Sequence, residues 1–305
     1  MGKALGGGAG VIAGLSFGFG GAVSRLLGEE GYTIPHIVAV QFLCAFVILG
    51  VLCIFTKKPT LDLKSVFKLV LLGIVSTVSS LTYYLAISFL TVGSAVAIQF
   101  QYVWIVVVFQ AIAERKAPKP TVLLAVVMVV FGTVFCSGLA DEFVSGSFKA
   151  HPVGIALALV CAFTYALFIF FNGKIAPDQP PVPRTFVMVS GGFLLSLLVG
   201  GDVYMQPALL GEMIPGGIVM GLLMSVLPVL CIVVASSRLP GGLVAILTST
   251  ELPAAVLAGA LMFGESVTPL VVLGVVLILG SVVLSEGAEV LPSRGRRRLQ
   301  TGGET

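Results

Sequence analysis

One carboxylate, Glu251, interrupts an otherwise apolar run from 239 to 264. A charged side chain at bilayer depth costs about 2.5–3.5 kcal/mol on insertion scales, so it must face protein or water rather than lipid. Pro253 follows two residues later and removes a backbone donor, which opens carbonyls toward the space Glu251 faces. Thr248 lies three residues earlier and shares the same helical face. Such a group binds a cationic or amino function, or exchanges a proton that couples transport. The competing reading is a structural carboxyl, protonated or hydrogen-bonded, that holds a broken helix together.

Other polar and aromatic residues in apolar surroundings widen the candidate set. Gln101 and Trp104, the sole tryptophan, are three apart and share a face with Ala97. They form a polar and aromatic wall, or else Trp104 packs in the core while Gln101 bonds a neighbouring helix. Gln99 points about 160° away from Gln101 at roughly 100° per residue. Ser79, Ser80, Thr82, Tyr83 and Tyr84 cluster together. The hydroxyls of serine and threonine commonly bond across helices, whereas Tyr83 or Tyr84 has the length to reach a cavity. Tyr165 adds a third tyrosine. Arg25 is expected to pair with Glu29 or to snorkel, Lys174 to snorkel, and Glu114 and Glu265 to bond locally at helix ends.

No cofactor or metal is called for. The five cysteines all sit in apolar runs without C-x-x-C spacing. His36 and His151 each stand beside a proline with no second ligand set in view.

Apolar elements must position these residues. The 305 residues carry 17 Lys+Arg and 14 Asp+Glu, 10% of the chain, against roughly 25% in soluble proteins. Apolar residues reach 57% and mean hydropathy is +1.12. A water-soluble enzyme, a disordered chain and a nucleic-acid binder are excluded. About 20 apolar residues cross a bilayer, and the uncharged runs predict ten helices: 5–25, 34–56, 66–90, 94–113, 120–139, 153–174, 184–200, 214–236, 241–263 and 267–286. A turn at Thr91-Val92-Gly93-Ser94 divides the longest run.

With the N-terminus in the cytoplasm, the inner segments hold every Lys and Arg except Arg25 and Lys149, fifteen of the 17. That is a positive-inside distribution, and it places both termini in the cytoplasm of a cell (inner) membrane protein. The tail Arg294-Gly295-Arg296-Arg297-Arg298 anchors that topology or touches anionic lipid.

The second half echoes the first. Gly10 and Phe19 parallel Gly154 and Phe163, and Ala113-Glu114-Arg115 parallels Gly264-Glu265-Ser266. Residues 1–140 and 150–287 are read as two repeats, with 288–305 a basic cytoplasmic tail. Five spans per repeat is an odd number, so the repeats must be inverted, a pattern found in secondary transporters. Gly10, Gly14, Gly18 and Ala22 form a small-residue face suited to close helix packing, or to sliding.

Together these features resemble the EamA-type branch of the drug/metabolite transporter superfamily. The residues that carry the likeness are Ala113-Glu114-Arg115, Thr250-Glu251-Leu252-Pro253 and Phe263-Gly264-Glu265. The resemblance implies an all-α polytopic membrane protein, ten helices in two inverted five-helix repeats around a central cavity. It implies alternating-access movement of a small-molecule substrate such as an amino acid, amine or drug, most often efflux, with uptake the alternative. Protons are the candidate coupling ion, and the assembly is a monomer or homodimer. Relatives often carry proline in the fourth span, where this chain has Gln-Phe-Gln-Tyr-Val-Trp (99–104), so a proline-linked break is expected only in the ninth span.

Two other classes fit these residues less well. An intramembrane enzyme lacks H-E-x-x-H, G-x-S-x-G and paired midplane carboxylates. A channel often shows a charged ring or filter, which one midplane acid does not supply, and a non-transporting scaffold is the remaining alternative, favoured if no gradient moves any solute.

Overall fold

The computed structural model describes residues 2–57, 59–144, 146 and 151–290, and among these it contains helices and turns but no strand. The first half comprises α1 (Gly2–Glu29), α2 (Ile34–Ile54), α3 (Leu63–Ala86), α4 (Val92–Gln99), α5 (Tyr102–Glu114), α6 (Pro120–Cys136) and the short α7 (Leu139–Val144). The second comprises α8 (Pro152–Asn172), α9 (Pro181–Gly200), α10 (Pro207–Met220), α11 (Leu227–Ser236), α12 (Gly241–Thr248), α13 (Glu251–Phe263) and α14 (Pro269–Val290). Eight segments are long and apolar enough to cross a membrane, with α4–α5, α10–α11 and α12–α13 each counting as one. The shorter apolar helices Pro120–Cys136 and Pro269–Ser285 complete ten. Lys149 and the tail arginines Arg294, Arg296, Arg297 and Arg298 lie outside the described residues.

Local chemistry sets the helix starts. Thr33 and Thr91 cap α2 and α4 through their hydroxyls, which accept from the backbone N–H of His36 and Ser94 at 3.4 and 3.1 Å. Proline opens α6 and α8, where its missing N–H leaves no bond unmade. The turn expected at 91–94 is this N-cap. Between α10 and α11 the chain makes a π-turn, Gly221–Val226. A carbonyl in that turn, Leu223, accepts from the Ser16 hydroxyl of α1 at 2.7 Å.

Two spans are broken, not one. The proline-free fourth span divides after Gln99, and the ninth divides after Thr248. The pieces match in length: eight residues in α4 and α12, thirteen in α5 and α13. Both second pieces end in a left-handed C-cap, Arg115 at φ 52° and Gly264 at φ 66°. The structure thus pairs Arg115 with Gly264, two residues away from the match read in the sequence. A proline is not required for such a break, since the fourth span divides without one. At each break the chain tightens into i→i−3 bonds, Gln101 N to Ile98 O at 3.1 Å and Thr250 N to Leu247 O at 3.3 Å.

Side chains cover the carbonyls freed there. Ser249 donates to Ile246 O at 2.6 Å and Thr250 to Leu247 O at 2.9 Å. Gln101 Nε2 donates to Ala97 O at 3.0 Å in the other half. Backbone groups at membrane depth must be satisfied internally, and short polar side chains meet that requirement.

Packing interleaves the halves. α1 lies along α11, α12 and α13, while α8 lies along α3, α4 and α5. α2 packs on α9 and α10, α3 on α9, and α6 on α14. Exchanging the two halves maps this set of neighbours onto itself.

The glycine face of α1 is pressed against the break in the ninth span. A Cβ on Gly14 would stand 2.6 Å from Thr248 O and 2.9 Å from Glu251 N, and one on Gly18 would stand 2.8 Å from Ala255 N. The corresponding positions of α8 are Gly154, Ala158, Ala162 and Ala166, and its three alanines are fully buried.

Candidate functional site

A cavity of about 770 Å³ opens between the two halves. Its walls come from the C-terminal parts of α1, α3 and α13 and the N-terminal parts of α2 and α4. All of these ends lie on the side of the α1–α2 turn, so the cavity opens there. Tyr165 and Phe168 of α8, Met188 of α9, Val229 of α11 and Leu252 of α13 close the other end.

Glu251 stands at the first turn of α13 and lines this cavity, half-buried. Among the described residues no hydrogen bond or ion pair holds its carboxyl. The break places it there: a helix that restarts at residue 251 presents its first side chain beside the opening. Tyr83, Tyr84 and Tyr165 line the same space. Tyr84 OH accepts from the Ser24 hydroxyl at 3.4 Å, and the Tyr83 and Tyr84 rings lie 5.7 Å apart. Tyr165 packs edge-on to Tyr102 at 4.7 Å, and its buried hydroxyl has no partner.

Three expected wall residues, Thr248, Gln101 and Trp104, are placed elsewhere. Thr248 is fully buried behind the cavity wall and meets Tyr102 OH at 3.1 Å, linking the two broken spans. Pro253 sits in the first turn of α13 and does not line the opening. Gln101 and Trp104 are neighbours as their spacing predicts, with Trp104 Nε1 donating to Gln101 Oε1 at 2.8 Å. Their face points outward, and Trp104 is 43% exposed. The fourth span offers Gln99 to the cavity instead.

Two wall residues were missed. Gln41 of α2 donates through Nε2 to Ser225 Oγ at 2.9 Å, while its buried Oε1 has no partner. A lone glutamine inside the second apolar run was the available signal. Ser225 reaches the wall because the π-turn turns it there, and no sequence period announces that.

Arg25 guards the opening. Its Nε lies 3.0 Å from Glu29 Oε1, as expected, and its Nη1 lies 2.5 Å from Glu265 Oε1. The guanidinium also stands 4.1 Å above the Phe263 ring. The second carboxylate was not foreseen, because it comes from the turn after α13. Glu114, in the first half, accepts from Gln110 Nε2, whose Oε1 accepts from Gly242 N at 3.1 Å. Lys174 lies over the Phe170 ring at 3.7 Å.

The sequence profile of the EamA-like transporter family matches residues 4–138 and 152–286. The chain belongs to the EamA-like transporter family. Each EamA match covers one half of the helical arrangement described above, so the family repeat and the structural repeat coincide. A solved structure titled "Crystal structure of protein" is similar to this EamA chain over 91% of its length and 97% of its own, with a TM-score of 0.68 at 14% identity. That likeness shows a shared fold. No curated protein matches the chain. This EamA protein is therefore a multi-pass membrane protein of a transporter family, with a cavity where its two repeats meet.

Proposed function

We propose that this protein is a secondary transporter that moves a small amine-bearing solute (an amino acid, an amine or a drug-like cation) out of the cell by alternating access. One observation carries the proposal: the unpartnered Glu251 carboxyl faces a cavity open at one end and sealed at the other. A carboxylate held at membrane depth without a partner is costly unless it meets a cation or a proton in its working cycle. The partnerless oxygens of Gln41 and Tyr165 supply further polar contacts, and Tyr83 and Tyr84 supply aromatic surface.

The positive-inside distribution supports termini in the cytoplasm, and a cell (inner) membrane is part of the proposal. The opening beside Arg25 is then outward, and the Phe168–Met188 floor faces the cytoplasm. Five spans per half invert the repeats, so exchanging their roles opens the floor and closes the mouth. Proton exchange at Glu251 supplies the coupling.

The test starts with a thermal-shift screen of purified protein against amino acids, amines and drugs at two pH values. Counterflow of the best ligand in proteoliposomes follows. Glu251→Gln is expected to abolish pH-dependent transport while the variant remains folded. Unchanged transport and unchanged pH dependence in folded Glu251→Gln protein overturn the proposal.

A further inference from the structure

A second polar cluster lies beneath the cavity floor. Asn172 is four residues beyond Phe168 on α8, and Arg184 is four residues before Met188 on α9. Each therefore sits one turn, about 6 Å, deeper than a floor residue. Arg184 is fully buried and donates from Nη2 to Asn172 O at 2.6 Å. Its Nε has no partner. Among the described residues no carboxylate lies within ion-pair distance of it. Asn172 and the adjacent Thr185 are also fully buried, and Asn172 Oδ1 and the Thr185 hydroxyl are unpartnered. Ser236, at the end of α11, completes the group. Its carbonyl stands 2.7 Å from where a Cβ on Gly173 would lie, and its buried hydroxyl is unpartnered.

Buried polar atoms are nearly always hydrogen-bonded, and a buried guanidinium needs an anion or several acceptors. Unpartnered buried polar atoms thus gather at three neighbouring helix ends on the sealed side, with a buried cation among them and Asn172 and Arg184 one turn below the floor. We infer that Arg184, Asn172 and Ser236 form a second solute station on the sealed side, which takes the carboxylate of an amino-acid-like solute when the floor opens. The Arg184 fork matches a planar carboxylate. Ser236 adds a donor, and Asn172 Oδ1 accepts from an ammonium beside that carboxylate. This inference rests on the alternating-access reading above, and it narrows the solute from amines in general to those that also carry a carboxylate.

The test is arginine-selective labelling of purified wild-type protein with phenylglyoxal, read peptide by peptide by mass spectrometry. Sodium acetate, sodium chloride and methylammonium chloride are compared at matched ionic strength. Arg184 is expected to react as the floor opens, and acetate alone is expected to slow it severalfold. Exposed Arg238 on the same side reports general salt effects. No reaction at Arg184, or equal slowing by acetate and chloride, overturns the station. Failure of the transporter reading shows separately, as absence of counterflow of any screened ligand by the wild-type protein in proteoliposomes.

Discussion

Glu251 and Thr248 are three residues apart on one predicted face, yet they have different surroundings. Glu251 lines the cavity without a partner, whereas Thr248 is tied behind it to Tyr102. The link joins a hydroxyl of the fourth span to one of the ninth, so it holds the two breaks in register. Replacing a buried hydroxyl that has a partner costs about 1 kcal/mol. Thr248→Val and Tyr102→Phe should each lower the unfolding temperature in detergent, and the double variant should be no worse than their sum. Ligand affinity should stay unchanged in Thr248→Val, since its side chain is outside the cavity wall. A large loss of affinity with normal stability would place Thr248 in the binding site after all.

At the scale of elements, the two broken spans are alike in length and unlike in chemistry. One is covered by a Ser-Thr pair, the other by Gln101. Pro253 lies within the first turn of α13, where helical N–H groups have no intrahelical partner. Pro253→Ala should therefore keep the break. Thr250→Val removes bonds to both Leu247 O and Val11 O and should destabilise the protein more than Pro253→Ala does. Thermal unfolding of the two variants side by side decides this; equal loss would return the break to the proline. The first helix shows a second inequality. Its glycines let α1 approach the ninth span to a distance that no Cβ permits, while α8 meets the fourth span through alanines. Gly14→Ala forces the contact with Thr248 O apart and should cost about 1–3 kcal/mol. Ala162→Gly in α8 loses about 1 kcal/mol or less of helix propensity. If α1 slides during gating, Gly14→Ala should also slow transport at temperatures where it remains folded.

Across the whole molecule, the neighbour pattern survives exchange of the two halves, as two equivalent repeats require. The exchange turns the contact of α1 with α13 into that of α8 with α5. The proposed orientation rests on the distribution of Lys and Arg, and it is directly measurable. In a background with the five native cysteines replaced, Glu30→Cys should react with a membrane-impermeant maleimide in intact cells. Lys64→Cys, exposed at the opposite end, should react only after permeabilisation. The reverse result would flip the cavity mouth to the cytoplasm and make the Arg25–Glu265 contact an inner closure.

Much of this was legible from local sums along the chain. Hydropathy per window sets which segments leave water, so the ten spans and the scarcity of charge at depth were readable. So was the i, i+3 pairing of Gln101 with Trp104, because it is a property of one helix. The side of the wall that each residue occupies was not readable. A 3₁₀ turn advances about 120° per residue against about 100° in an α-helix, so each break resets the phase of everything after it. Helix direction, the partner across a contact and the π-turn that swings Ser225 inward depend on atoms far away in sequence. Chain composition determined that this protein lives in lipid and carries a lone midplane acid. Only the packing of two halves decided that this acid faces an open cavity, that Gln99 rather than Gln101 joins it, and that Arg184 lies buried one turn below the floor.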